Sequence, residues 1–497
     1  MVFDQVPYRS SLTRLSSILG GTPILKAVLI LTAIWLGLQT GGSSETWFAF
    51  VLGGFIVLGV FIFSYSRPQR AFLLYLGALP FLPRYVGLEL PLLHEVPAPR
   101  AVGAVVLVGV LFGLLRKSEK SLLRNPLLWI CIPYAVDLVL IQVMLLAGGS
   151  LTDSLLRSPF WLFIDTLGPA LLVSECAQDE SWRRSLLRVL FISGSIAALL
   201  AVYESLSGIN VFASLPWQFS KSSAFGYINW PNRFGFTRAV GAIAQPSYFG
   251  WLFATLFVLA ICAYAYAWPR RTGMQWHARG ILIVTLSALG IVSTASGVPF
   301  LAMLAGVGIL ILLQPRMLLR SRTSGVLLLI LVLLIALPFF IQIKDMWSSF
   351  LGIGASQEQD RLIIQGNAAD RFLLPSLTWP IIAESFIVGH GTLPASGVLN
   401  IAYDVCNRYI VELINGGIIG FLLWIMPIGL AVWRAGISFR QNMDAEHKAL
   451  ALAVLSALIV GLVVFNGISY GNQAETLFWV IVGLAWALPL TESDHES

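Results

Sequence analysis

The chain has 497 residues, 57% of them hydrophobic and 11% charged, with a mean hydropathy of +0.82. Soluble domains carry about 25% charged residues, so composition excludes an ordinary soluble protein. The net charge of +6 does not point to nucleic acid, because most of the basic residues sit in short loops between apolar runs, where positive charge collects on the cytoplasmic side.

Residues 1–22 are polar and basic, with no cleavage-site pattern ahead of a short apolar core. The first apolar run therefore reads as a retained helix rather than a removed signal peptide. Apolar runs follow near 24–40, 46–65, 71–83, 101–115, 126–147, 160–175, 185–206, 242–266, 280–294, 296–314, 324–342, 410–433, 448–467 and 474–490. A full crossing needs about 20 residues. The third run is short, and Ser296-Gly297 breaks another pair. The expected fold is all-α: residues 1–497 form one polytopic membrane bundle of about 12–14 transmembrane helices.

With the N-terminus inside and the runs alternating, the inner segments collect 21 of the 31 basic residues, among them Arg67, Arg116, Arg183, Arg184, Arg271, Arg316 and Arg434. Short loops set orientation, so both termini are expected in the cytoplasm and the two long loops outside. The first long loop, 207–241, holds Lys221, Arg233 and Arg238 and no acid, with Trp217, Tyr227, Trp230 and other aromatics interleaved. The second, 343–409, is too long for an idle connection. Its stretch 370–388 has roughly helical spacing interrupted by Pro375 and Pro380, as in a broken helix lying on the membrane surface.

Arginine at a membrane boundary is costly because its charge cannot be removed by deprotonation. Arg238 leads the candidates: a guanidinium forks onto phosphate oxygens, and Gly241 and Pro246 follow it. The alternative is a snorkelling arginine at a helix end. Arg371 and Arg361 are either further clamps or exposed partners of Asp370 and Asp360. His390, between two glycines, has a titration range suited to a general base; otherwise it is a turn residue. Asn407, Arg408 and Tyr409 open the helix that runs to Gly417 and Gly420, two glycines on one face that suit close packing.

Of the four cysteines, Cys131, Cys176 and Cys262 lie in or beside apolar runs, and no CxxC occurs, so neither a disulfide framework nor a zinc site is expected. A phosphate-binding GxxxxGK[ST] loop and an outward Asp-x-Asp pair are also missing from the sequence, so no nucleotide, metal or other cofactor is implied. Asp137, Asp165, Glu204 and Glu475 are intramembrane acids that a transporter would use as relay groups.

Three segments together resemble the O-antigen ligase and O-antigen polymerase (Wzy-type) superfamily of bacterial envelope proteins. The first is Arg238-x-x-Gly241 through Pro246-Ser-Tyr-Phe-Gly250. The second is Arg371, then Trp379, then Phe-Ile-Val-Gly389-His-Gly391. The third is Asn407-x-Tyr409-Ile-x-x-Leu413 to Gly417-Ile-Ile-Gly420. The resemblance covers about residues 230–435. It implies a metal-independent glycosyltransferase of the bacterial inner membrane. Its donor would be a polyprenyl-diphosphate-linked glycan and its acceptor a glycan or lipid sugar, with membrane lipid and other polysaccharide assembly proteins as further partners. Arg238, Arg371 and His390 would be catalytic. Arg233, Arg361, Cys406, Asn407, Arg408 and Tyr409 would bind substrate. The chain departs from the pattern at Cys406, where the family has a histidine, and at Ser296-Gly297, where many relatives have Ser-Arg. The rival expectations are a lipid-linked glycan flippase or exporter, and a non-catalytic assembly protein.

Overall fold

Apolar runs in a membrane become helices because a helix satisfies its backbone polar groups within one segment. The computed structural model describes residues 44–90, 94–117, 124–147, 160–213, 237–264, 274–314, 368–391, 407–442, 444–468 and 473–490. In chain order its helices are α1 (Ser44–Ser66), α2 (Pro68–Ala78), α3 (Ala98–Lys117), α4 (Pro126–Ala147) and α5 (Gly168–Cys176), the last preceded by a π-helical turn at Phe163–Leu167. There follow α6 (Glu180–Ser207), α7 (Pro246–Cys262), α8 (Met274–Thr294), α9 (Gly297–Leu313), α10 (Ala368–Glu384), α11 (Arg408–Gln441), α12 (Ala445–Phe465) and α13 (Gln473–Trp486).

The architecture is helical, and four described helices are long and apolar enough to cross a membrane: α3 over Ala98–Arg116, α6, α11 and α12. Shorter apolar helices include α7, α9 and α13. The expected runs at 24–40 and 324–342 lie outside the described residues, as do most of both long loops. The third expected run, 71–83, differs in the structure. Its helix α2 stops at Ala78 and tightens into a 3-10 turn over Leu79–Phe81, because Pro80 and Pro83 remove backbone donors. The chain then forms an antiparallel hairpin, β1 (Gly87–Leu90) with β2 (His94–Pro97), in the register Gly87↔Pro97 and Leu90↔His94.

Every residue of α7 is buried, as is α13 from Gln473 to Ala485. A helix apolar on all sides belongs in a bundle's interior, and α7 packs there against α8, α9 and α12. The outer helices behave oppositely. On α6, Ile192, Ile196, Leu199 and Tyr203 form an exposed stripe at helical spacing, and Trp129, Val136 and Leu140 expose another on α4. Apolar stripes on this scale would be a liability in water and are lipid-facing in a membrane protein.

Contacts between helix ends sort by the side that alternation predicts. On one side Trp182 Nε1 donates to the Gln69 carbonyl at 3.2 Å, Arg184 pairs with Glu446 at 2.9 Å, and Asn125 donates to Ser174 at 2.6 Å. On the other, Arg100 pairs with Asp165 at 2.6 Å, the Arg84 N–H donates to the Ala242 carbonyl at 2.8 Å, and Gln473 donates to the Leu82 carbonyl at 2.5 Å. The candidate site residues cluster on this second side, the expected outer face.

Candidate functional site

Arg238 opens a buried turn, with one 3-10 turn over Gly241–Ile243, that ends where α7 begins. The turn needs unusual backbone angles: Gly241 has φ +55° and Ala244 has φ +64°. Gly241 also lacks the space for a side chain, since a Cβ there would come 2.6 Å from the Phe249 ring. The turn is held from outside. Ala239 N–H donates to the Ser293 carbonyl at 3.0 Å. Val240 and Gly241 donate to the Glu204 carboxylate at 3.2 and 2.9 Å. Arg238 itself is 5% exposed, and its Nε donates to the Thr294 carbonyl at 3.3 Å.

Beside Arg238, two helix N-termini meet. Helix α7 starts at Pro246 behind Gln245, and α9 starts at Gly297 behind Ser296; neither N-cap side chain bonds its own helix. The Ser296 hydroxyl is instead 2.8 Å from the Ser247 hydroxyl, which ties the two starts together. The close approach depends on Gly250, where a Cβ would meet Thr294 Oγ1 at 2.7 Å and Pro299 at 2.8 Å. The first N–H groups of a helix lack intrahelical acceptors and carry the positive end of its dipole. By contrast, Asp179, Asn407 and Asp444 cap α6, α11 and α12 with their side chains. Two uncapped, positively polarised ends beside a buried guanidinium can receive a phosphate or diphosphate.

The start of α11 lies on the same side. Tyr248, in the first turn of α7, is within electrostatic reach of Arg408. Arg408 is held between Glu412 at 2.6 Å and Glu475 at 3.0 Å, and Tyr134 donates to the other Glu412 oxygen at 3.0 Å. Asn407 caps the helix by accepting from the Ile410 N–H at 3.2 Å. Tyr409 turns into the bundle, donates to the Leu462 carbonyl at 2.8 Å and meets Trp424 and Phe465 edge-on. Capping, ion pairing and packing thus occupy Asn407, Arg408 and Tyr409.

His390 belongs to a joint with α11. The helix breaks at Gly417, with φ +59° and ψ −160°. The turn after α10 lies along the break. Ile418 N–H donates to the Phe386 carbonyl at 2.8 Å, His390 N–H to Ile414 at 2.7 Å, and Gly391 N–H to Asn415 at 2.9 Å. Gly389 and Gly417 face each other so closely that a Cβ on either would strike the opposite backbone. The His390 ring nitrogen Nε2 lies 2.8 Å from the Ile381 carbonyl. A carbonyl can only accept, so Nε2 carries the proton and Nδ1 holds the basic lone pair.

Arg233, Arg361 and Cys406 fall outside the described residues, and Arg371 lies on α10 with its side chain outside them too. Sequence reasoning missed Glu412, and it noted Glu475, Glu204 and Asp165 only as acids that a transporter would use as relay groups. The structure gives each of the three a local partner: Arg408, the 240–241 backbone and Arg100. The signal for Glu412 was its place four residues after Arg408, the spacing of a helical ion pair. No family model matches the chain, and no curated protein matches it by sequence.

Proposed function

We propose that this membrane protein transfers a glycan from a polyprenyl-diphosphate carrier to the hydroxyl of a second glycan or lipid sugar, at the outer face of a bacterial inner membrane. The bundle would have about 12–14 spans, with both termini in the cytoplasm. The observation that carries this reading is the pair of uncapped N-termini of α7 and α9, joined at Ser247–Ser296, with Arg238 buried beside them.

In such a transfer the bond between the anomeric carbon and the diphosphate breaks, and negative charge grows on the departing phosphate oxygens. Fixed donors aimed at that charge in a site with little water usually contribute more to catalysis than any other single effect. The helix ends and Arg238 would supply them, so the chemistry asks for no nucleotide. Arg371 is proposed as a second clamp from the large loop. His390 Nδ1 is proposed to take the acceptor proton. An anomeric carbon with much positive character needs that help only late in the reaction, so the phosphate donors carry more of the rate.

A second reading, a flippase or exporter of lipid-linked glycan, is favoured by the broken helix at Gly417. The carboxylate of Asp137 approaches that break: a Cβ on Gly420 would lie 2.9 Å from Asp137 Oδ2. Discontinuous helices with nearby acids are a transporter feature. Purified protein in lipid vesicles, given a polyprenyl-diphosphate oligosaccharide, separates the two. Release of carrier diphosphate, cut strongly by Arg238→Lys, supports transfer. Lysine keeps the charge and loses the fork. Carrier crossing the bilayer with its glycan attached supports the flippase.

A further inference from the structure

We infer that Glu204 is the positioning residue for Arg238: its carboxylate holds the turn that presents the guanidinium to an anionic ligand. The inference rests on the reading of Arg238 as a phosphate clamp.

The 238–245 turn cannot hold itself. Its own regular structure is a single 3-10 turn over Gly241–Ile243 with one internal backbone bond, from Ala244 N–H to the Val240 carbonyl at 3.1 Å; two of its residues take left-handed angles, and left-handed alanine at 244 is unfavourable. Irregular backbone at membrane depth persists only where protein groups satisfy it. Glu204, 5% exposed near the end of α6, supplies the acceptors. Its Oε1 accepts from Val240 N–H at 3.2 Å and from Asn210 Nδ2 at 2.9 Å, and its Oε2 accepts from Gly241 N–H at 2.9 Å.

Asn210 extends the frame. Its amide also donates to the Gly241 carbonyl at 3.1 Å, and its Oδ1 accepts from Tyr85 OH at 3.1 Å. The Arg84 N–H reaches the Ala242 carbonyl at 2.8 Å. The turn is thereby fixed from α6 on one side and from the β1–β2 hairpin's leading residues on the other. Two backbone bonds to one carboxylate, two and three residues after Arg238, determine where the guanidinium's stem leaves the chain.

Glutamine at 204 has the same shape but presents one oxygen and one NH2 group. It keeps the bonds to one side and sets a donor against the Gly241 or Val240 N–H, which a purely volume-based role would not notice. Two measurements test the assignment on full-length protein in lipid vesicles. The first is the dissociation constant for undecaprenyl diphosphate in wild type, Glu204→Gln, Arg238→Lys and the double variant. Glu204→Gln is expected to weaken binding by about 10–100-fold in the wild type and to add little in the Arg238→Lys background, because it acts through that side chain. Additive effects, or no effect of Glu204→Gln where Arg238→Lys weakens binding, would overturn the positioning role and leave the clamp standing.

The second is hydrogen exchange of peptide 238–245, which does not depend on the ligand. Glu204→Gln should speed exchange at Val240 and Gly241 with the rest of α6 and α7 protected. Unchanged exchange refutes the inference even if Arg238 proves to bind nothing. Faster exchange with no effect of Arg238→Lys on binding sinks the clamp and, with it, the role assigned to Glu204.

Discussion

Replacing Arg408 by methionine should destabilise the protein by about 3–5 kcal/mol, the range for breaking a buried ion pair from one side. Arg408 lies 2.6 Å from Glu412 and 3.0 Å from Glu475, with 14% of its side chain exposed against 4% and 11% for the acids. At about 3 Å and an effective dielectric near 20, each contact is worth roughly 5 kcal/mol of Coulomb attraction before desolvation. Desolvation offsets most of that while the triad is intact. With methionine at 408, two buried carboxylates share a cavity without this cation, and one Tyr134 hydroxyl cannot compensate. The assay is reversible unfolding in bicelles, followed by tryptophan fluorescence. Neutralising all three positions, as Arg408→Met, Glu412→Gln and Glu475→Gln together, should recover most of the loss, since no buried charge is then left without a counter-ion. A loss under about 1 kcal/mol for Arg408→Met, below the range for a buried pair, would refute the reasoning. So would a triple variant no more stable than the single. Either result would return Arg408 to the list of arginines kept for an anionic ligand.

The Gly417 joint gives a second test: Gly417→Ala should abolish the folded monomer by size-exclusion chromatography, whereas Gly420→Ala, which presses only on the Asp137 side chain, should fold. Asp444 caps α12, and its carboxyl is held below the usual range by hydrogen bonds from the His447 backbone and ring. A depressed carboxyl stabilises the fold above its unfolded pKa of about 3.9 and loses that contribution as pH falls through the lower folded value. Asp444→Ala should therefore cost about 1 kcal/mol at pH 7 and much less in strong acid, read from thermal midpoints against pH. Sidedness is tested by a single cysteine at Ser207 or Ser181 in a cysteine-free background. In cells with a permeabilised outer envelope, an impermeant thiol reagent should label position 207 and spare 181; the reverse would invert the proposed topology.

Much of the bundle was legible in hydropathy because long apolar runs have one way to fold in lipid. The expected run at 185–206 is α6, 410–433 lies within α11, and 448–467 matches α12 to within a few residues. What failed was punctuation. Pro80 and Pro83 shortened the third run, and the hairpin after it was invisible because β1 and β2 are only four residues each. The partners of the acids were illegible for another reason. Arg100 and Asp165 are 65 residues apart, and Arg408 and Glu475 are 67 apart, distances over which sequence spacing carries no information about contact. Gly417 reads in the sequence as a packing glycine, and in the structure it breaks the helix instead.

That break explains why two short segments, far apart in the chain, carry matching glycines. Opening α11 at Gly417 strands backbone groups on both sides of the kink, and in a membrane those groups must find partners within the protein. The Phe386 and Ile387 carbonyls take the Ile418 and Ile419 N–H groups, while the Ile414 and Asn415 carbonyls take the His390 and Gly391 N–H groups. Such pairing needs backbone against backbone, and only glycine at 389 and 417 lets the two chains approach that closely. The consequence reaches function through His390. Its ring is fixed by the Ile381 carbonyl and its backbone by α11, so the basic nitrogen is carried by two elements at once. Any ligand that shifts α10 against α11 must move His390 with it, and any variant that loosens the joint should disturb the histidine before it disturbs Arg238, whose frame is built from α6, α8 and the hairpin.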